Sequence, residues 1–385
     1  MSSVHSPKIA VIGGGVIGTM TAWQLSQRGA EVHVFDQFNI PNDRGASAGE
    51  SRIFRTLYKE GAEYVPLLHK SLEKWQELEN TQNTSLLTMC GGLTIGSTNH
   101  PDVVSVIACG ESESLDFEVL DSSQMARRFP HFFVEDDEVG VWDPNAGVFR
   151  PEPSVLAGRR AAQASGAEFH SYSPVLNITL LKDSVVLETV GGATMFDAVV
   201  IAAGPWADVF AQVPRSVVEP RQLVGMWFAV DEPRTNYRPE NMPISIRRSR
   251  HGAFSCFPML DDVSIKILPH HVPWRAIPSA ESLERLVDPA FVQSSERMVA
   301  KLLPGVDPSA IRISTWTEGY TPDGAPIVGC SAEDSRVILA TGMSGQGFKM
   351  SPMIGSIAAD FALNGSSDEV PEIFSPARFA PKELS

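Results

Sequence analysis

Apolar residues run unbroken through some stretches of the chain and alternate with polar ones in others. Residues 8–36 read as strand, tight turn, helix and strand: KIAVIG, then GGVIG opening a helix through TMTAWQLSQRG, then AEVHVFD. Gly29 supplies the helix stop. This is a βαβ unit, which implies a parallel sheet covered by helices. The theme returns in LAGRRAAQASGA, a helix ended by Gly166, and in FDAVVIAAG, a buried strand closing in a small-residue turn. It returns again in RVILATG at 336–342, where a glycine-rich turn then feeds a helix of small and apolar residues.

Other segments differ in character. Residues 86–149, with LLTMCGGLTIGS and VGVWDPNAGVFRP, and residues 216–315, with GMWFAV and VSIKIL, show the shorter alternation of an antiparallel sheet. The expected fold is α/β. A Rossmann-like dinucleotide domain with a parallel sheet draws on 1–85, 150–215 and 325–385, and a mixed, largely antiparallel α+β domain for substrate draws on 86–149 and 216–324. The Pro-rich tail from Val370 reads as a surface strap.

Charge narrows the partners. With 31 basic against 46 acidic side chains, the net charge of −15 repels nucleic acid and anionic membranes at long range. A small anionic substrate stays compatible, because a few clustered cations reverse the local field. The start, MSSVHSPK, is polar, and no apolar run approaches the roughly 20 residues of a membrane helix. A cytoplasmic monomer or small homo-oligomer is therefore expected. Cys90, Cys109, Cys256 and Cys330 are scattered without CxxC or matching His spacing, so no metal site is expected.

The chemistry begins at the first turn. Gly13, Gly15 and Gly18 form GxGxxG between a strand and a helix, with Val16 and Ile17 at the helix opening. Gly13 permits the turn, Gly15 lets the backbone approach a pyrophosphate and Gly18 lets helix and strand pack closely. Asp36, followed by Gln37, ends the second strand 18 residues past Gly18, where a carboxylate accepts hydrogen bonds from ribose hydroxyls. That favours FAD or NAD over NADP. FAD is preferred because the chain leaves near residue 85 and returns to the sheet only with VVIAAG and RVILATG. The final turn, with Gly345, Gln346 and Gly347, then places a helix N-terminus near the flavin, where its partial positive charge favours reduced flavin.

These segments, together with GASAGESRIFRTLY at 45–58, AAGPWA at 202–207, YTPDGAPIVG at 320–329 and MSGQGFK at 343–349, resemble the D-amino acid oxidase superfamily. SRIFR and GQGFK are most similar to its monomeric sarcosine oxidase and N-methyltryptophan oxidase branch. The resemblance implies FAD, with Ser47, Arg52, Val175, Ala203, Gly204 and Trp206 joining the loop residues and Lys349 as cofactor-binding candidates. It also implies that Arg55 and Lys349 bind a substrate carboxylate, that Lys266 stands beside the flavin to promote reduction of dioxygen, and that His270 is an active-site histidine.

Read without the resemblance, Lys349 sits in the first turn of an apolar helix, where a cation opposes the macrodipole and needs an anionic partner. The competing reading is a snorkelling surface lysine. Arg52 and Arg55, three apart, share one face if helical, and either fork onto a carboxylate, organise the flavin edge or lie on a solvated charged face. Alternation in VSIKIL makes Lys266 an outward strand lysine. Phe254, Phe257, Trp316 and Tyr320 are candidates for an aromatic wall, though core packing is their commoner fate.

Two departures from the branch stand out. The cysteine that carries covalent FAD shortly before TPD is missing from ISTWTEGYTPD, so FAD is expected without a covalent link, as in the glycine oxidase branch. The paired histidines before SRIFR are Ser47 and Ala48. The expected reaction is oxidation of the C–N bond of an N-methyl or other secondary amino acid to an imine, with oxygen reduced to hydrogen peroxide. The alternatives are a primary amino acid of the glycine or D-amino acid type, or an NAD-dependent dehydrogenase.

Overall fold

The computed structural model describes residues 6–379 apart from 215 and 271–273. β1 (Lys8–Ile12), α1 (Val16–Gln27) and β2 (Glu31–Phe35) form where the apolar pattern places them. They belong to a six-stranded sheet ordered Ile327–Cys330, Val337–Thr341, Ala198–Ile201, β1, β2, Glu168–His170. Its pairs are parallel except the first, which is antiparallel. Such strands are covered on both faces, which is why they are continuously apolar.

α1 is buried from Val16 to Ser26, so it carries no polar stripe. It packs between the helices Pro151–Ala164 and Gly347–Asn364. A Cβ at Gly355 would stand 2.6 Å from the Met20 carbonyl carbon and 2.7 Å from the Thr21 nitrogen, so two helices cross backbone against backbone there. On the other face of the sheet lies a small antiparallel sheet, Val175–Leu180, Val185–Thr189 and Gly192–Phe196. Its Ile178, Leu187 and Phe196 pack on Ala10, Ile12, Val199 and Ile201. The sequence pattern had not indicated this layer.

The second sheet has eight strands, ordered Val306–Tyr320, Glu219–Val230, Ser264–Pro269, Gly252–Phe257, Ile244–Ser249, Gly92–Ser97, Glu138–Asp143, Glu118–Leu120. Its pairs are antiparallel except where Ile244–Ser249 runs parallel to Gly92–Ser97. Met226, Phe228, Ile265 and Ile267 on one face pack with Met298 and Leu302 of the helix Pro289–Leu302. The opposite face carries Leu223, Trp227, Lys266, Leu268 and Trp316. Both expected architectures, the parallel α/β sheet and the largely antiparallel α+β unit, are present.

One local expectation is overturned. Residues 52–54 form a strand, β3 (Arg52–Phe54), paired with Gly147–Phe149. The strand ends at Phe54, so no helical period joins the two arginines: Arg52 lines the large cleft and Arg55 a separate small cavity. Among the described residues no helix is long and apolar enough to cross a membrane.

The crossing at Gly355 generates a stability test. Gly355→Val forces a branched side chain between two backbones and is expected to cost about 1–3 kcal/mol. Thermal denaturation followed by circular dichroism checks this; an unchanged midpoint contradicts the close approach.

Candidate functional site

The glycine turn is built from steric necessity. Gly13 has φ +104°, and a Cβ there would lie 2.4 Å from the Ala202 carbonyl oxygen. A Cβ on Gly18 would lie 1.8 Å from the Gly13 oxygen. Gly15 differs: its nearest obstacle is Ser47 Oγ at 3.3 Å, and its free side faces a cleft. Ser47 Oγ accepts from the Val16 N–H at 2.9 Å, so it secures the opening of α1. Asp36 accepts the Gly14 N–H at 2.7 Å on one oxygen and the Phe38 N–H at 2.7 Å on the other. Burial raises its pKa, and these two bonds oppose the rise. Each carboxylate oxygen retains acceptor capacity for a further donor.

The cleft encloses about 1650 Å³ including its open mouth. Of the expected cofactor residues, Gly13, Gly15, Val16, Ile17, Asp36, Gln37, Ser47, Arg52, Val175, Ala203, Gly204, Trp206, Gly345 and Gly347 line it. Gly18 acts in packing, as expected. Gln346 turns away from the cleft: it donates to the Gly324 carbonyl at 2.7 Å and accepts from the Tyr58 hydroxyl at 3.0 Å. The cleft wall also holds Leu223, Leu268, Trp274, Trp316 and Glu318.

Lys266 is not an outward lysine. It is 3% exposed, and its Nζ donates to the Gly49 carbonyl at 2.6 Å and the Ser51 carbonyl at 3.3 Å. The rings of Phe257, Trp316 and Trp227 surround it at 4.9, 5.0 and 5.6 Å. Burial pulls its pKa well down, and the nearby Arg52 adds to the fall. The alternation was read correctly and its sense was not: this face of the strand looks onto another part of the same chain. Arg52 donates to the carbonyls of Ser51 and Ala46, both at 2.6 Å, and its guanidinium lies 5.4 Å from the Trp316 ring.

Arg55 and Lys349 come together around Tyr58, 5.1 and 4.9 Å from its ring centre. The Thr56 and Leu57 N–H groups are held by Asp143 at 3.3 Å each, which fixes the turn between Arg55 and Tyr58. Lys349, in the first turn of its helix, is buried and donates to the Tyr58 hydroxyl at 3.0 Å and the Gln346 carbonyl at 3.2 Å. Its pKa is pushed down to about 7, by burial first and by Arg55 second, against the pull of Glu60 and Glu318. Arg55 Nη2 meets Glu60 at 3.2 Å, while Arg55 Nη1 is buried with no hydrogen-bond partner among the described residues. The solvated-surface readings of both cations therefore fail. Arg55 faces a second small cavity with Thr94, Asp143, Ile244 and Ile246.

His270 shares the strand face of Lys266 and Leu268, but its ring is engaged with Arg248 and lies 3.3 Å from Ser255 Oγ. Of the aromatic candidates, Trp316 lines the cleft, Phe257 covers Lys266, and Tyr320 packs on Trp274 and Arg221. Phe254 belongs to the core. Glu318 was missed. It accepts the Gly345 N–H at 2.9 Å, and burial raises its pKa against the charge of Arg52. The signal was present, since alternation puts Glu318 on the same face as Trp316 and Tyr320.

The donor set fits a flavin dinucleotide: an open glycine at a helix start, a carboxylate closing β2, and a wall where Trp316 Nε1 is buried with no hydrogen-bond partner among the described residues. Comparisons with known proteins agree. The family model described as FAD dependent oxidoreductase, DAO, matches residues 8–361. Monomeric sarcosine oxidase of Streptomyces avermitilis is 31% identical over 377 residues, covering 97% of each chain. N-methyl-L-tryptophan oxidase of Yersinia pestis is 30% identical over 376 residues, covering 96% of this chain and 99% of the relative. Among solved structures, NikD, an unusual amino acid oxidase of nikkomycin biosynthesis, superposes with a TM-score of 0.86 at 22% identity, covering 97% and 98% of the two chains.

The open side of Gly15 generates a binding test. Gly15→Val adds a side chain that meets little protein and projects where the pyrophosphate approaches. Folded protein with at least about tenfold less bound flavin is expected, a loss of 1.4 kcal/mol or more in binding. Circular dichroism and visible absorbance read the two properties, and wild-type flavin content contradicts the assignment.

Proposed function

The chain belongs to the DAO family of FAD-dependent oxidoreductases, and from that membership we propose that it oxidises the C–N bond of a small secondary amino acid, such as an N-methyl amino acid. Membership also sets aside the nicotinamide alternative. The observation that carries the proposal is the buried pair Arg55 and Lys349, where, among the described residues, one guanidinium nitrogen is unpaired and only Glu60 is in direct ionic contact with Arg55. Two cations confined this way form a receptor for a carboxylate. The names of the sarcosine and N-methyltryptophan oxidase relatives support a secondary amine as its other end.

The glycine turn and the α1 N-terminus would hold the FAD pyrophosphate, and Asp36 its ribose. Bound FAD supplies the two-electron acceptor. The protein's part is placement: Arg55 and Lys349 fix the carboxylate and thereby orient the amine-bearing carbon. Glu318 gives the cleft a carboxylate to meet the substrate nitrogen, which must shed its proton before the carbon–hydrogen bond is broken. The substrate loses two electrons and two protons to become an imine, and dioxygen takes up the same number to become hydrogen peroxide. Lys266, walled by three aromatic rings beside the cleft-lining Trp316, is assigned to support that oxygen step. No cysteine lines the cleft among the described residues, which supports FAD held without a thioether link.

The low pKa of Lys349 gives a pH test. Below about pH 7 the lysine is charged in the free protein, and above it the lysine is neutral, so a carboxylate ligand must recruit a proton to bind. The affinity of a non-oxidisable carboxylate is expected to fall roughly tenfold per pH unit above that value. Titrations followed by flavin absorbance check this. Lys349→Met should raise KM strongly for carboxylated amines and flatten the pH profile, and an unchanged KM removes Lys349 from the role. A peroxide assay comparing N-methyl with primary amino acids tests the substrate class.

Acid precipitation tests the mode of FAD attachment. Flavin is expected in the supernatant; a yellow pellet identifies a covalent bond.

A further inference from the structure

At the edge of the six-stranded sheet, β2 and Glu168–His170 run parallel, with His33 opposite Glu168 and Phe35 opposite His170. Alternation puts Glu31, His33, Glu168 and His170 on one face. Among the described residues, His33, Glu168 and His170 bring three ligand atoms within 4.8 Å of one another. His33 Nδ1 lies 3.2 Å from His170 Nε2 and 3.5 Å from a Glu168 oxygen, and His170 Nε2 lies 3.8 Å from the same oxygen.

Those edges, 3.2–3.8 Å, lie within a few tenths of an ångström of a coordination tetrahedron's. Zinc bonds of about 2.0–2.2 Å place neighbouring ligand atoms about 3.3–3.6 Å apart. The outer shell matches too: Glu31 sits 3.0 Å from His33 Nε2 and also holds Lys8 at 2.8 Å. Donating its Nε2–H to Glu31 leaves His33 Nδ1 with its lone pair toward His170, the arrangement in which a carboxylate orients a metal-bound imidazole. His33 packs edge-on against Phe196 at 5.6 Å, and His170 stacks on Phe35 at 4.7 Å. The imidazole planes are 7° apart, so coordination requires a χ2 turn of His170, the more exposed ring at 34% against 13%.

We propose that His33, Glu168 and His170 bind one divalent transition metal, of which zinc suits two imidazoles and a carboxylate, with water completing the tetrahedron. The metal ties the edge strand to β2 at the end that carries Asp36. There the Asp36 N–H already donates to the His170 carbonyl at 3.1 Å, and the Ser173 N–H donates to the Asp36 carbonyl at 2.8 Å. The site is separate from the redox chemistry, and its sequence signal is faint because the histidines come from strands far apart in the chain.

The test uses flavin-loaded enzyme stripped with a chelator, dialysed, and titrated with zinc alone, with metal content per chain measured after gel filtration. One zinc per chain is expected. The double variant Glu168→Gln, His170→Gln should lose that equivalent, and Glu31→Gln should weaken binding about tenfold, as loss of an outer-shell partner does. Glu31 and Glu168 are exposed, so their single variants keep the comparison valid if histidine replacement unfolds the strand. Wild-type protein that retains no zinc, or a Glu168→Gln variant that binds as tightly as wild type, overturns the proposal.

Discussion

Four basic side chains are drawn inward as two pairs, Arg52 with Lys266 around Trp316 and Arg55 with Lys349 around Tyr58, and burial lowers the pKa of both lysines. A buried charge without partners costs several kcal/mol, so the surrounding structure has to supply substitutes. Backbone carbonyls of Ala46, Gly49 and Ser51 receive Arg52 and Lys266. Aromatic faces cover Lys266, and the Tyr58 hydroxyl and a helix-turn carbonyl receive Lys349. The segment 46–58, short and partly irregular, exists to present these acceptors. Its position is secured by Asp143 and Glu152, whose carboxylates take backbone N–H groups of Leu57 and Gly49.

The fold was legible where one physical rule acted alone. β1, α1 and β2 followed from apolar runs and glycine placement, and the strands Ala198–Ile201 and Val337–Thr341 from the same cues. The three-stranded layer was illegible because only one face of it is buried and its outer face still carries apolar residues. Leu176 and Met195 are exposed on its strands and Leu181 and Val190 beside them in its turns, and together they blur the alternation that would have marked the strands.

The candidate site was legible in its backbone parts and less so in its side-chain parts. Glycines in the first turn answer to local sterics, which sequence spacing reports. Whether Lys266 faces solvent or another sheet depends on tertiary packing, and alternation cannot distinguish the two. Arg52 and Arg55 failed for a local reason: a helical period was assumed over a strand. Glu318 was overlooked because a carboxylate within an aromatic face reads as a surface break until the strand's two faces are assigned.

The cleft wall is discontinuous in the chain. It begins at Ile12 and is completed by Gly347 and Phe348. During synthesis the glycine turn therefore emerges long before the segment that closes over it, and the last contributors sit on a helix that must slide in against α1. A nascent chain thus offers the cofactor only an unfinished cradle. A complete cradle therefore requires long-range closure of the chain.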